Sequence, residues 1–252
     1  MRNEQDQLFH KLNERFVQAF ATYHLLEDGD HVLVAVSGGK DSLLLLELLA
    51  RRAKIAHPQF SLEALHVRME NVQYETSTNY LECFCKGLGV PLHIRTTRFD
   101  TGEGTCHSGR DVRRQKSPCF LCSWNRRKQM FNIAQELNCN KIALGHHQDD
   151  ILNTTLMNLT FLGRFGTMPA CLKMRKMPLT IIRPLCMIAE ADIKRYAELK
   201  GFEQPVKRCP HEHESKRTDI QKLFQAAQEL NPEARQSIWN ALNREGKLIE
   251  EY

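Results

Sequence analysis

Residues 31–50 read HVLVAVSGGKDSLLLLELLA. The opening HVLVAV is a short, continuous apolar run rich in β-branched residues, the composition of a strand buried on both faces of a parallel sheet. From residue 42 to about 54 the leucine-rich stretch reads as a helix. Between them stands Ser37-Gly38-Gly39-Lys40-Asp41-Ser42. Two adjacent glycines let the backbone turn tightly and approach a ligand with no Cβ in the way. The unpaired N–H groups at the helix start, together with the helix dipole, make an anion site. Ser37 and Ser42 add hydroxyl donors, and Lys40 adds a point charge suited to phosphate. The spacing matches neither a Walker A loop nor the dinucleotide fingerprint G-x-G-x-x-G. The plain alternative is a strand–helix turn with capping serines.

Outward from this loop the pattern repeats. Residues 61–68, 91–97, 141–145 and 179–183 read as strands; 76–88, 120–137, 148–162 and 189–200 read as helices. Strand alternating with helix predicts βαβ units and a doubly wound parallel sheet. An amphipathic helix over 4–24, with Leu8, Leu12, Phe16 and Phe20 at helical spacing, precedes the first strand. Residues 100–118 read as a polar, basic loop. After 201–216, a stretch with prolines and many charges, two short helices are expected at 217–230 and 232–245. The organisation expected is an N-terminal helix (1–29), a nucleotide-binding α/β domain (30–200) and a small helical C-terminal segment (201–252).

The chain has 252 residues, 42% hydrophobic and 26% charged, with a net charge of +5. That is enough apolar material for a core, and the mild basicity permits a polyanionic partner without demanding one. No apolar run approaches the roughly 18 residues of a membrane span. The polar N-terminal stretch MRNEQDQLFHKL does not read as a signal or transit peptide, so a cytoplasmic protein is expected. Nine cysteines, an odd number, argue against a disulfide scaffold and for thiols in a reducing compartment, some of them on a metal.

Cys119 and Cys122 form a C-x-x-C at the start of a predicted helix. That spacing suits one metal ion, one cluster or a redox pair. The residues leave several readings open: a dithiol, a structural zinc site completed by Cys209 with His211 or His213, a three-cysteine iron–sulfur cluster, or ordinary buried thiols. Arg126, four residues past Cys122, lies one helical turn from the pair, placed to stabilise phosphate or to bind RNA. With Arg127 and Lys128 after the pair, and Arg110, Arg113, Arg114 and Lys116 before it, this is the most basic stretch of the chain. Trp124 sits within it, either a stacking ring for an RNA loop or a core anchor. Asp149 and Asp150 open a helix after the fourth strand. They either favour the helix dipole or act on Mg²⁺ and the reacting base. Of His146 and His147, one is expected to be an ordinary packed histidine. Cys83, Cys85, Cys139, Cys171 and Cys186 are read as structural thiols, as is Cys106, although it lies in the basic loop near the pair.

The string VAVSGGKDS resembles the pyrophosphate loop of the PP-loop ATPases, which split ATP between its α and β phosphates to activate a carbonyl-type oxygen with AMP. The resemblance implies a nucleotide held by Val36, Ser37, Gly38, Gly39, Lys40, Asp41 and Ser42, with Asp41 near Mg²⁺, and adenine against the backbone at Val67 and Gly145. Together with PCFLCSWNRR (118–127), ALGHHQDDIL (143–152), IIRPL (181–185) and Cys209, the chain is similar to the tRNA 2-thiocytidine synthetases, the TtcA family. That resemblance covers most of residues 30–210. It implies an adenine nucleotide α-hydrolase-like fold, ATP and Mg²⁺, a [4Fe–4S] cluster on Cys119, Cys122 and Cys209, and tRNA as substrate, with an anticodon-loop cytidine (position 32) thiolated at C2. Lys40, Asp41, Arg126 and Asp150 are its implied catalytic residues. A sulfur donor such as a cysteine desulfurase and a homodimer follow from the same source. The His-rich segment CPHEHESKR does not align beyond Cys209. Other classes that would fit parts of the pattern are a PP-loop enzyme acting on a small molecule, a zinc-stabilised nucleotide-binding module and a dithiol sulfur carrier.

Overall fold

The structure is a computed structural model. It describes residues 3–70, 74–75, 77–98, 118–203, 206–207 and 217–251. Cys106, Cys209, His211, His213 and the basic run 110–116 lie outside the described residues, as does the side chain of Cys119.

The strands β1 (Asp30–Ala35), β2 (Phe60–Met69), β4 (Leu92–Thr97), β5 (Lys141–Ala143), β6 (Cys171–Met174), β7 (Leu179–Ile182) and β9 (Ile249–Glu251) form one sheet in the order β4-β2-β1-β5-β7-β6-β9. All neighbours are parallel except β6 and β7. The expected doubly wound sheet is therefore present, with one antiparallel hairpin in it. A small antiparallel ladder joins β3 (Tyr74–Glu75) to β8 (Val206–Lys207), which ties the segment after β2 to the segment after α6 (Glu190–Lys200).

β1 explains the layering. Val32 and Val34 point to one face, and Leu33 to the other. On the first face they meet α1 (Glu4–Tyr23), α2 (Lys40–Arg52), α3 (Thr78–Leu88) and α6 in a core that contains Leu12, Phe16, Leu45 and Tyr196. On the second face Leu33, Leu65 and Ile142 pack on Ile133 and Ala134 of α4 (Pro118–Glu136). Covering both faces of a parallel sheet is what makes its strands continuous apolar runs. The Leu/Phe stripe of α1 is used within the chain: Leu12 and Phe16 are buried in this core. α5 (Gln148–Leu162) joins the same core through Ile151 and Leu152 and also packs on α7 (Arg217–Leu230) and α8 (Ala234–Arg244).

Cys85, Cys139 and Cys186 are buried, and burial pushes the Cys85 and Cys139 thiols up to about 11 and Cys186 higher still. Such thiols stay protonated, which fits a packing role. Cys83, two residues from Cys85, is exposed, as helical geometry requires.

Candidate nucleotide site

The polar residues singled out in the sequence converge outside the carboxyl ends of β1, β2 and β5, where open α/β sheets take their ligands. The first βα turn closes on itself. The Ser42 hydroxyl donates to the Gly39 carbonyl at 2.9 Å and accepts from the Ser37 N–H at 3.2 Å. The Gly39 N–H points to Ser37 Oγ at 3.4 Å. Gly38 sits at φ 88°, a left-handed conformation that side chains disfavour. Gly39 is the N-cap of α2 and no side chain caps that helix, so its first-turn amides face outward. This favours the anion-site reading of the loop over the capping-serine alternative.

The loop opens onto a pocket of about 350 Å³. Ser37, Asp41 and Ser42 form one wall, and Leu65 and Val67 of β2 form the apolar back. Arg126 and Met130 of α4 close one side, and Leu144, Gly145, His146 and Asp150 the other. A pocket with an apolar slot and a few convergent polar groups suits a planar heterocycle that carries phosphates. The fourth strand is shorter than expected, ending at Ala143 rather than 145. The chain leaves the sheet there to pass against the start of α2. A Cβ on Gly145 would lie 3.1 Å from the Asp41 carbonyl carbon and the Ser42 nitrogen.

Lys40 is half-buried and pairs with Asp41 (3.1 Å) and Glu190 (3.0 Å). Burial alone would lower its pKa, but the two carboxylates outweigh it and hold the ammonium above its usual value. Asp149 and Asp150 differ. Asp149 points away from the pocket and accepts from the Arg235 guanidinium and from the Glu190 N–H at 2.8 Å. Burial would raise it, but these partners hold it below the usual carboxylate range. Asp150 lines the pocket and forms a reciprocal cap with His147, whose N–H donates to Asp150 Oδ2 at 3.2 Å. Burial, followed by the nearby Asp41 charge, holds its pKa up despite His147. Asp149 is thus engaged by protein partners, while Asp150 both caps the helix and faces the pocket.

His147 Nε2 lies 3.4 Å from Asp150 and 4.0 Å from Asp41. His146 is the one that faces the pocket. Burial lowers its pKa to about 3, so it is neutral. His66-Val67 is one of the strand ends expected at the ligand, but the sequence alone assigns no role to the His66 side chain. It is buried on β2, and its Nδ1–H donates to the Val36 carbonyl at 2.7 Å, fixing the strand end that opens the loop.

Positions 119, 122, 126 and 130 follow the i, i+3, i+4 spacing along α4, so they form one stripe. Arg126 and Met130 carry that stripe into the pocket wall, and Cys122, half-buried, stands one turn before Arg126. The soft sulfur of Cys122 at that position fits a ligand of an iron–sulfur cluster at the pocket's edge. Trp124 is not a core anchor: it is 50% exposed, on the opposite side of the helix.

A strand, an anion loop and a heterocycle-sized pocket at the sheet's carboxyl edge define a nucleotide-binding α/β protein, and the model of the PP-loop domain matches residues 8–206. Among curated proteins, the tRNA-cytidine(32) 2-sulfurtransferase of Bordetella avium is 36% identical over 96% of this chain and 75% of its own length. That of Paraburkholderia xenovorans is 35% identical over 95% and 69%. The chain belongs to the tRNA-cytidine(32) 2-sulfurtransferase family of PP-loop proteins. Among solved structures, the U34-tRNA thiolase NcsA from Methanococcus maripaludis, with its [4Fe-4S] cluster, shares the fold. It matches at TM-score 0.72 and 24% identity, over 95% of this chain and 79% of that one.

Proposed function

We propose that the protein is an ATP-dependent tRNA sulfurtransferase that exchanges the C2 oxygen of an anticodon-loop cytidine, position 32, for sulfur. The observation that carries this is one stripe of α4. It sets Cys122 one turn from Arg126, in the wall of a pocket whose other wall is the phosphate loop. ATP lies with its adenine in the apolar slot, against the backbone at Val67 and Gly145. Its pyrophosphate lies on Ser37, Gly38, Gly39 and Ser42 beyond Val36. Lys40 leaves its carboxylates for the phosphates, and Asp41 is freed to hold Mg²⁺, the usual counter-charge on nucleotide phosphates.

The cytosine O2 bonds to the α phosphorus as the bond to pyrophosphate breaks. Sulfide then bonds to C2, and O2 leaves within AMP. No protein nucleophile is required. The chain supplies alignment and charge: Arg126 reaches the α phosphate, and Asp150 orients the base or shares the metal. Cys119, Cys122 and Cys209 would hold a [4Fe–4S] cluster, which when bound supplies an exchangeable iron position for sulfide. The sulfur comes from a donor such as a cysteine desulfurase, whose persulfide a thiol reductant cleaves to release sulfide, the thiol being oxidised to a disulfide. The protein acts in the cytoplasm and as a homodimer, with residues 30–200 as its catalytic unit, 1–29 as a packing helix and 201–252 bringing the third cysteine.

The test combines anaerobically purified protein with ATP, Mg²⁺, sulfide and unmodified tRNA, followed by nucleoside mass spectrometry and AMP assay. The expected product is 2-thiocytidine with equimolar AMP. Cys122→Ala is expected to lose thiolation at least 100-fold while still binding ATP, since it lies outside the phosphate loop. Cluster-loaded protein that forms no 2-thiocytidine would overturn the assignment.

A further inference from the structure

Helix α4 has two faces, and the pocket uses only one. The other carries Phe120 (46% exposed) and Trp124 (50% exposed), four residues apart and hence adjacent on the helix surface. Lys128, exposed, follows on the same side, and Arg127, also exposed, stands between the two faces, its charge within reach of His146 and Arg183. The Lys128 ammonium stands 5.6 Å from the centroid of the Trp124 ring. A large aromatic ring held in solvent costs hydrophobic free energy that burial would recover. Here it is flanked by cations, and the nearest acid on the helix is Glu136, three turns away.

We propose that this outward face of α4 is a stacking platform for a base of the tRNA anticodon loop, with Trp124 as the ring and Arg127 and Lys128 as phosphate contacts. The inference rests on tRNA being the substrate and names where its loop is gripped. Single-stranded RNA is recognised by splayed bases stacked on aromatic rings beside cations, and this face offers that combination. A second copy of the chain fits less well. A two-fold interface would set the same patch against itself and bring Arg127 and Lys128 of both copies together. Continuity favours RNA as well: Trp124 and Arg126 are about 3 Å apart along the helix axis and separated by its width of about 10 Å, so a loop wrapped around α4 passes from the platform to the pocket.

The sequence contains two tryptophans. Trp239 is 4% exposed in the core, so a change in tryptophan emission on adding RNA reports on Trp124. The full-length protein is titrated at low salt with an unmodified anticodon stem-loop. Quenching of the emission is expected, retained in Trp239→Phe and absent in Trp124→Ala. Trp124→Ala is expected to weaken RNA binding about ten-fold with an unchanged melting temperature. Trp124→Phe, which keeps a ring, is expected to recover most of that affinity. Wild-type protein that binds RNA without quenching, or a Trp124→Ala variant that binds as tightly, overturns the platform alone. If neither wild type nor variant binds RNA, the tRNA reading falls and the platform with it. Emission that changes with protein concentration in the absence of RNA assigns the face to a second copy and also overturns the platform.

Discussion

The two ends of the central strands are built on opposite principles. At the amino end, Lys141 and Asp30 are buried and fully engaged. The ammonium pairs with Asp30 Oδ2 at 2.8 Å and donates to the Leu25 carbonyl at 2.9 Å. Asp30 Oδ1 accepts from Asn140 at 2.8 Å, and Asn140 Oδ1 accepts from the His31 N–H at 2.8 Å. At the carboxyl end several buried polar atoms are left open: His146 Nδ1, Asn153 Oδ1 and Arg183 Nε find no hydrogen-bond partner among the described residues. A closed network of buried charge specifies and holds a fold. Open polar groups at a strand end cost stability and mark where a ligand completes the set.

The contrast can be broken at either end. The largest effect is expected from Lys141→Met, which leaves Asp30 buried beside an apolar chain. A loss of about 3–5 kcal/mol is expected in denaturant unfolding, with activity per folded molecule unchanged. Lys40→Ala should do the reverse. Its ion pairs are partly exposed, so stability should shift by less than about 1 kcal/mol. AMP formation should fall about 100- to 1,000-fold, as for the loss of one charge-stabilising donor. If Lys40→Ala instead unfolds the protein while Lys141→Met is tolerated, the division between the ends is wrong.

A smaller effect sharpens the line. Asp149 lies at the carboxyl end yet is closed by Arg235, so it should behave like the amino-end network. Arg235→Ala should cost about 2 kcal/mol at neutral pH, the scale of a hydrogen bond to a charged group. The Asp149 pKa is depressed in the folded protein, so its contribution is fully present above the unfolded value and is lost as pH falls through the folded one. The gap between wild type and variant in urea midpoints should therefore close as pH drops below about 4.

Much of this division is legible in the sequence, for local reasons. HVLVAV followed by SGGKDS carries strand, turn and helix start in one stretch, and the spacing of Cys122 to Arg126 carries their shared face. What escaped depends on distance. β6 and β9 are strands of four and three residues whose pairing is decided by partners far along the chain, not by their own pattern. The early end of β5 is set by the approach of Gly145 to Asp41 and Ser42, a contact between segments a hundred residues apart. His66 reads as one polar residue in a strand until its bond to Val36 is seen. Trp124 needed the helix's rotation to separate the stacking reading from the core reading.

The order of the strands also bears on how the chain finds its shape. β1 pairs on one side with β2, thirty residues on, and on the other with β5, whose Lys141 meets Val32 more than a hundred residues later. Closure entropy grows only with the logarithm of length, so that longer loop costs roughly 1 kcal/mol more than the shorter one. The β1–α2–β2 unit should collapse first, with β5 joining afterwards.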